Sequence, residues 1–378
     1  MGNEAIQTSY DRVPYPSCPK PGTHPDHLAA LATLFGMSPP PIDRCRVLEL
    51  GCADGLNLIA MAQALPHSES GQQVAQGQAL LAALGLGNVT LRPMDILDVN
   101  GDLGQFDYII AYGVYSWVPQ PVQDKILEIC DRRLAPSGAA YVSYNTFPGW
   151  HQRAAVREMM LYHTRRLEEA ATRTHQAREL LNFLVQSVPE LVGRLAEEDG
   201  YGLSLQCEQK RLDNRPTAYL FHELLEEFNE PPYFYQFAER AARHGLQYLA
   251  EADFSTMLPD NFSPPVRETL SRLGQDIVET EQYMDFLRNR MFRQTVLCHQ
   301  DIQLDRMLTR DRLPAFYVAS PVQPMSPEVD IHSTRVDKFC GPHSTVVSTD
   351  KPITKSALVH LAQLWPRSVA FDELVTAA

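Results

Sequence analysis

Residues 47–57 read VLELGCADGLN. An apolar run meets a turn of small residues, and the stretch that follows, GLNLIAMAQAL, has the apolar content of a short helix. Strand, glycine turn and helix in that order open a parallel α/β sheet. The turn carries no GxxxxGK[ST] phosphate loop and no GxGxxG dinucleotide fingerprint. It carries two glycines, Gly51 and Gly55, with Cys52, Ala53 and Asp54 between them, and a second acid, Glu49, just before. Carboxylates repel a pyrophosphate and suit a cationic ligand rich in hydroxyls.

S-adenosylmethionine is such a ligand, with its sulfonium, amino group and ribose. Gly51 lets the backbone approach it, and Asp54 reaches toward its amino end. Downstream, Asp95 and Ile96 in PMDIL close the strand NVTLRPMDI, where a carboxylate can accept from an adenine amino group. Tyr112, Gly113 and Trp117 in AYGVYSWVP follow the apolar strand FDYII, at the sheet's carboxyl end, where open α/β sheets bind ligands.

The same alternation continues outward. VQDKILEICDRRL is an amphipathic helix that APSG ends, and AAYVSYN is the next strand. Beyond Trp150 the strands stop, and a long charged segment of helical period begins. Four regions are expected: a cofactor-binding core over 1–150; a helical insertion over 151–216, serving as lid or dimer interface; a region over 217–302 with two strands that return to the core sheet; and a linker with a partial C-terminal helical module over 303–378.

Bulk properties narrow the partners. The net charge of −13 disfavours nucleic acid, whose binders need a basic surface, and favours a cationic partner such as a lysine-rich protein segment. Seven cysteines form no CxxC pair, which points to free thiols, a reducing cytoplasm and no structural zinc. No run of about 18 apolar residues exists for a membrane span. The start has no secretory pattern, and Ile6 stands where a myristoylation signal wants Ser or Thr.

ELGCADG, MDIL, FDYIIAYGVYSWVP and RRLAPSGAAYVSYN together resemble the motif series of class I S-adenosylmethionine-dependent methyltransferases. The resemblance is closer still to one bacterial subgroup, the Rickettsia-type protein lysine methyltransferases with a methyltransferase regulatory region. YNTFPGWHQRAAVREMMLYH, YLFHELLEEFNEPPYFYQFAERAARHGLQYLAEADF and EQYMDFLRNRMFRQTVLCHQD carry that likeness. The resemblance implies a Rossmann-like α/β sheet, S-adenosylmethionine as cofactor, S-adenosylhomocysteine as product, and a longer, winged-helix-like final domain. It also implies a protein substrate with exposed lysines, of outer-membrane type, in the cytoplasm. One departure stands out. The fold calls for a second strand ending in a ribose-binding acid, yet PHSESGQQ offers no apolar run, and Glu69 sits at the usual offset without one.

For catalysis, Asn145 is the candidate to orient the acceptor amine. Tyr112, Tyr115, Trp117, Tyr144 and Trp150 are candidates for an aromatic wall that lowers the amine's pKa and attracts the sulfonium. Trp117 and Tyr144 join Asn145 as the residues expected nearest the chemistry. His151 and His163 read as satisfied helix histidines, and the acidic RLAEEDG as a solvated face. No metal site is expected. A small-molecule methyltransferase and a non-catalytic, cofactor-binding regulator are the competing readings.

Overall fold

The computed structural model describes residues 13, 18–64, 70–71, 75–100, 103–192, 200–342 and 345–378. Ile6, Glu69 and most of RLAEEDG lie outside the described residues. Contacts divide the chain into one unit of Met1–Ala32 with Ser38–Gln303 and another of Thr33–Met37 with Leu304–Ala378.

The first unit is built on β1 (Val47–Glu49), β2 (Ser70–Gly71), β3 (Val89–Thr90), β4 (Phe106–Ala111), β5 (Leu134–Asn145), β6 (Leu246–Glu251) and β7 (Phe292–His299). β1, β4 and β5 are parallel. β7 runs antiparallel to β5, and β6 antiparallel to β7, giving the order β1-β4-β5-β7-β6. FDYIIA is buried at five of its six positions and half-buried at the other, as a central parallel strand with both faces covered requires. The helix Gln120–Arg133 lays Ile126, Leu127 and Cys130 on the sheet and ends on Arg132 and Arg133, which suit the negative end of its dipole.

Two expectations are corrected here. APSG does not end the helix as a loop; β5 already begins at Leu134. The register slips between Phe106 and Tyr108, so the extra residues make a bulge inside the strand. The place of the second strand is held as well. Ser70 and Gly71 pair in parallel with Val89 and Thr90, and β2 runs beside β1. A ladder is made by backbone groups, so a two-residue strand leaves no hydrophobic period in the sequence.

The insertion folds as the helices Trp150–Thr164, Ala170–Val192, Gly200–Leu212 and Thr217–Leu224. They close on their own core of Val156, Met160, Ala177, Leu181, Leu205, Leu220 and Leu224. Arg153 is buried among them and pairs with Glu208 at 2.8 Å and Glu223 at 3.0 Å.

Return of β6 and β7 to the sheet is tied to one buried cation. Arg293 on β7 is fully buried. Its guanidinium meets Glu251 of β6 at 2.7 Å, and Asp285 at 2.8 Å and Glu281 at 3.0 Å from the helix Ile277–Arg288. The ring of Phe234 covers its face at 3.7 Å. Arg290 adds a second cation, 2.8 Å from Glu251. Each of the three guanidinium nitrogens donates to a carboxylate, which a guanidinium out of water needs.

The second unit has its own elements. β8 (Tyr317–Val318) pairs with β12 (Val369–Ala370), and β9 (Gln323–Pro324), β10 (Asp337–Cys340) and β11 (Val346–Thr349) form an antiparallel sheet in the order β11-β10-β9. Pro352–Leu364 and Phe371–Ala377 are its helices. The segment read as a proline-rich linker therefore contributes strands, each too short to show alternation. The buried Lys355 binds Asp337 at 2.8 Å and the carbonyls of Asp330 and Ser333.

Removing the Arg293 cation leaves Glu281 buried without its cation, and Glu251 and Asp285 with Arg290 alone. Arg293→Met is expected to cost about 3–5 kcal/mol in urea unfolding. A midpoint unchanged from the parent would show that the cluster contributes no net stability.

Candidate active site

β1 and β4 lie side by side, so the turns after them converge at the carboxyl edge of the sheet. Gly51 takes a left-handed φ of 68°, and a Cβ there would stand 2.5 Å from Val114 Cγ2. Gly55 is left-handed too, and its Cβ would meet Leu91 at 2.7 Å. Neither position admits another residue without a shift of backbone or packing.

Behind the turn lies a chain of buried polar groups. Asn57 donates through Nδ2 to Glu49 Oε1 at 3.0 Å and to Thr23 Oγ1 at 3.1 Å. Its Oδ1 accepts from the Lys20 backbone N–H at 2.8 Å. The second carboxylate oxygen of Glu49 is buried without a partner. Desolvation, opposed by the Asn57 hydrogen bond and helped by Asp54, pushes the Glu49 carboxyl up to about 7. Burial likewise raises the Cys52 thiol, which makes it a packing group and not a nucleophile.

These groups open on a cavity of about 610 Å³. One half is lined by Lys20, Glu49, Gly51, Cys52, Tyr112 and Gly113. Asn145 at the end of β5 follows, with Trp117, Trp150 and Phe292. The far half is walled by Arg153, Arg211, Arg215, Tyr219 and Glu223 from the helices. The Trp117 and Trp150 rings meet edge to face at 6.2 Å. Asn145 is buried, its backbone N–H donates to Ser116 Oγ, and its Nδ2 has no partner. Glu223 is held above the usual carboxylate range by desolvation, which outweighs the Arg153 guanidinium.

The structure thus brings together Glu49, Gly51, Cys52, Tyr112, Gly113, Trp117 and Asn145. Other expected site residues lie elsewhere. Tyr144 faces the opposite side of β5, where its ring stacks on Phe237 at 4.2 Å and its hydroxyl meets Thr295. Side chains alternate along a strand, so Asn145 and Tyr144 cannot share one face. Tyr115 packs on the same buried side, against Tyr144 and Phe237. Asp54 accepts from the Leu56 N–H at the start of the helix Leu56–Ala64 and does not line the cavity. Asp95 is exposed and accepts from the Leu97 N–H, capping a short turn. Ile96 packs against the core, and Gly55 serves the turn without lining the cavity. His151 stacks on Phe147 and meets the Tyr233 hydroxyl, and His163 is exposed; neither lines the cavity.

Lys20, Asn57, Arg153, Arg211, Arg215, Tyr219, Glu223 and Phe292 were not legible as site residues. Only Asn57 left a signal, as one of two polar residues in the mainly apolar LNLIAMAQA. No cluster of His, Cys, Asp and Glu suited to a metal occurs among the described residues, none of the seven cysteines is in a disulfide, and no described helix is long and apolar enough to cross a membrane.

Residues 47–138 match the family model described as a methyltransferase domain, and residues 216–299 match the predicted methyltransferase regulatory domain. The chain is 38% identical over 388 residues to RP789 of Rickettsia prowazekii, spanning all of this chain and 69% of that protein. It is 36% identical over 255 residues to RP028 of the same organism, spanning 66% of this chain and all of that protein. Among solved structures, PKMT2 from Rickettsia typhi, alone and in complex with AdoHcy, superposes with a TM-score of 0.82 at 35% identity. The match covers 96% of this chain and 70% of that one.

Charge on Glu49 gives the cavity a pH signature. A cationic amino group favours the carboxylate, so binding of S-adenosylhomocysteine is weak below pH 7 and levels off above it. Calorimetry at pH 6 and pH 8 is expected to differ about five- to tenfold in affinity, and Glu49→Gln to remove the difference. An equal pH dependence in the variant would assign it to another group.

Proposed function

The chain belongs to the class I S-adenosylmethionine-dependent methyltransferases that carry a methyltransferase regulatory domain, and from that membership we propose a lysine side chain of a protein as its methyl acceptor. The residues of the inner half fit the cofactor. Glu49 offers a buried, unpartnered oxygen to its amino group, Gly51 an open backbone, and Tyr112 an aromatic face. When bound, S-adenosylmethionine supplies the electrophilic methyl group.

The chain's own residues then align the acceptor, and alignment in well-oriented systems contributes roughly 7–11 kcal/mol. The observation that supports the lysine reading is that Trp117, Trp150, Tyr219, Arg211 and Arg215 line the same cavity as Asn145. Trp117, Trp150 and Tyr219 exclude water there, and the two arginines oppose a further positive charge. Both effects lower the pKa of an amine and hold it as a neutral nucleophile. Asn145 orients that amine through its side-chain amide, and the proton leaves toward the open end.

The net charge of −13 supports a cationic protein substrate. We place it in the cytoplasm, as an outer-membrane-type protein met before export. Exposed Tyr162, Phe183 and Leu203 on the insertion helices support a homodimer through that region, which sedimentation of the purified protein tests.

Incubation with labelled S-adenosylmethionine and a fractionated bacterial lysate, followed by peptide mass spectrometry, is expected to find the label on lysine. Label confined to metabolites would overturn the protein reading. Asn145→Ala is expected to lower turnover about 10²-fold with S-adenosylhomocysteine affinity unchanged. Loss of both together would make Asn145 a cofactor contact.

A further inference from the structure

Lys20 comes from a segment outside the sheet, yet its ammonium enters the cofactor half of the cavity. Its backbone is fixed first. The Lys20 N–H donates to Asn57 Oδ1, and its carbonyl accepts from Thr23 Oγ1 at 2.8 Å. Thr23 is fully buried, so this short loop is anchored to the same Asn57 that holds Glu49. The side chain lies over the Tyr112 ring, with Nζ 4.8 Å from its centroid. Burial works against the charge, but the Cys18 thiol and Tyr112 outweigh it and hold the ammonium above its usual range.

The inner half of the cavity therefore presents one anion, Glu49, and one cation, Lys20. Asn57 links them through Glu49 Oε1 and the Lys20 backbone, leaving Glu49 Oε2 buried and unpartnered. A nucleoside carries no charges for such a pair. The α-amino-acid end of the cofactor carries both. We propose that Lys20 binds the α-carboxylate of the cofactor's methionine moiety while Glu49 faces its ammonium, so that the segment before the sheet is part of the binding site. This rests on the cofactor reading of the chain and adds a residue to it.

A charge-assisted hydrogen bond to a carboxylate is worth a factor of about ten to a hundred in affinity. The test compares two ligands by calorimetry. S-adenosylhomocysteine has the amino-acid end; methylthioadenosine lacks it. Lys20→Met is expected to weaken the first about ten- to a hundredfold and to leave the second unchanged. Lys20→Arg, which keeps the charge, is expected to restore most of the loss. Equal weakening of both ligands, or none of either, would overturn the proposal while leaving the cofactor reading intact. Wild-type protein that binds neither ligand would overturn both. Since methylthioadenosine binding reports on the folded site, an unfolded variant loses both ligands together with its thermal transition; Lys20→Arg, retaining the fold, then decides between the outcomes.

Discussion

A guanidinium sealed away from water is the constraint on which the sheet's far half depends. Arg293 can stay charged inside the protein only while Glu251, Glu281 and Asp285 surround it. Those acids come from β6 and from the helix Ile277–Arg288, and Arg293 itself from β7. Pairing them locks the regulatory region onto β5, because β7 is hydrogen-bonded to β5 from Ala140 to Asn145. The residues just before Arg293, Met291 and Phe292, then stand at the cavity. A cluster of charges within the fold thus fixes part of an aromatic wall at its edge.

The cavity divides its electrostatics by distance from the glycine turn. Near the turn the charges are few and come singly, on Glu49 and Lys20. Farther out, arginines and a carboxylate from the helices gather around Trp117 and Trp150. Desolvation dominates both ends: it raises Glu49 and Glu223 alike, in spite of a hydrogen-bonding amide beside one and a guanidinium beside the other. The aromatic middle keeps the two polar ends apart.

The core strands and the glycine turn were legible because they depend on local pattern. FDYIIA reads as central, since a strand covered on both faces is apolar at nearly every position, and only Asp107 interrupts it. Glu49 and Asn145 were legible for the same reason: each ends a recognisable strand. Tyr144 was not, although it is the neighbour of Asn145, because whether a strand residue faces ligand or core depends on the layer covering it. Asp54 and Asp95 show another limit. A short acid two residues before an N–H can cap a turn or meet a ligand, and sequence does not distinguish them. Each accepts from an N–H two residues on, through one carboxylate oxygen. The helical wall was invisible, because Arg153, Arg211 and Glu223 come to the cavity through tertiary packing between helices. β2 was hidden by its brevity, and β8 to β11 by prolines and by strands of two to four residues.

The cavity wall is assembled from stretches scattered between Cys18 and Phe292. A ribosome delivers the glycine turn early, but a growing chain has no finished chamber until β7 emerges some 240 residues later. Nothing encoded in the first half alone can seat an acceptor. The wall is complete only once β7, with Phe292 at its start, has joined β5.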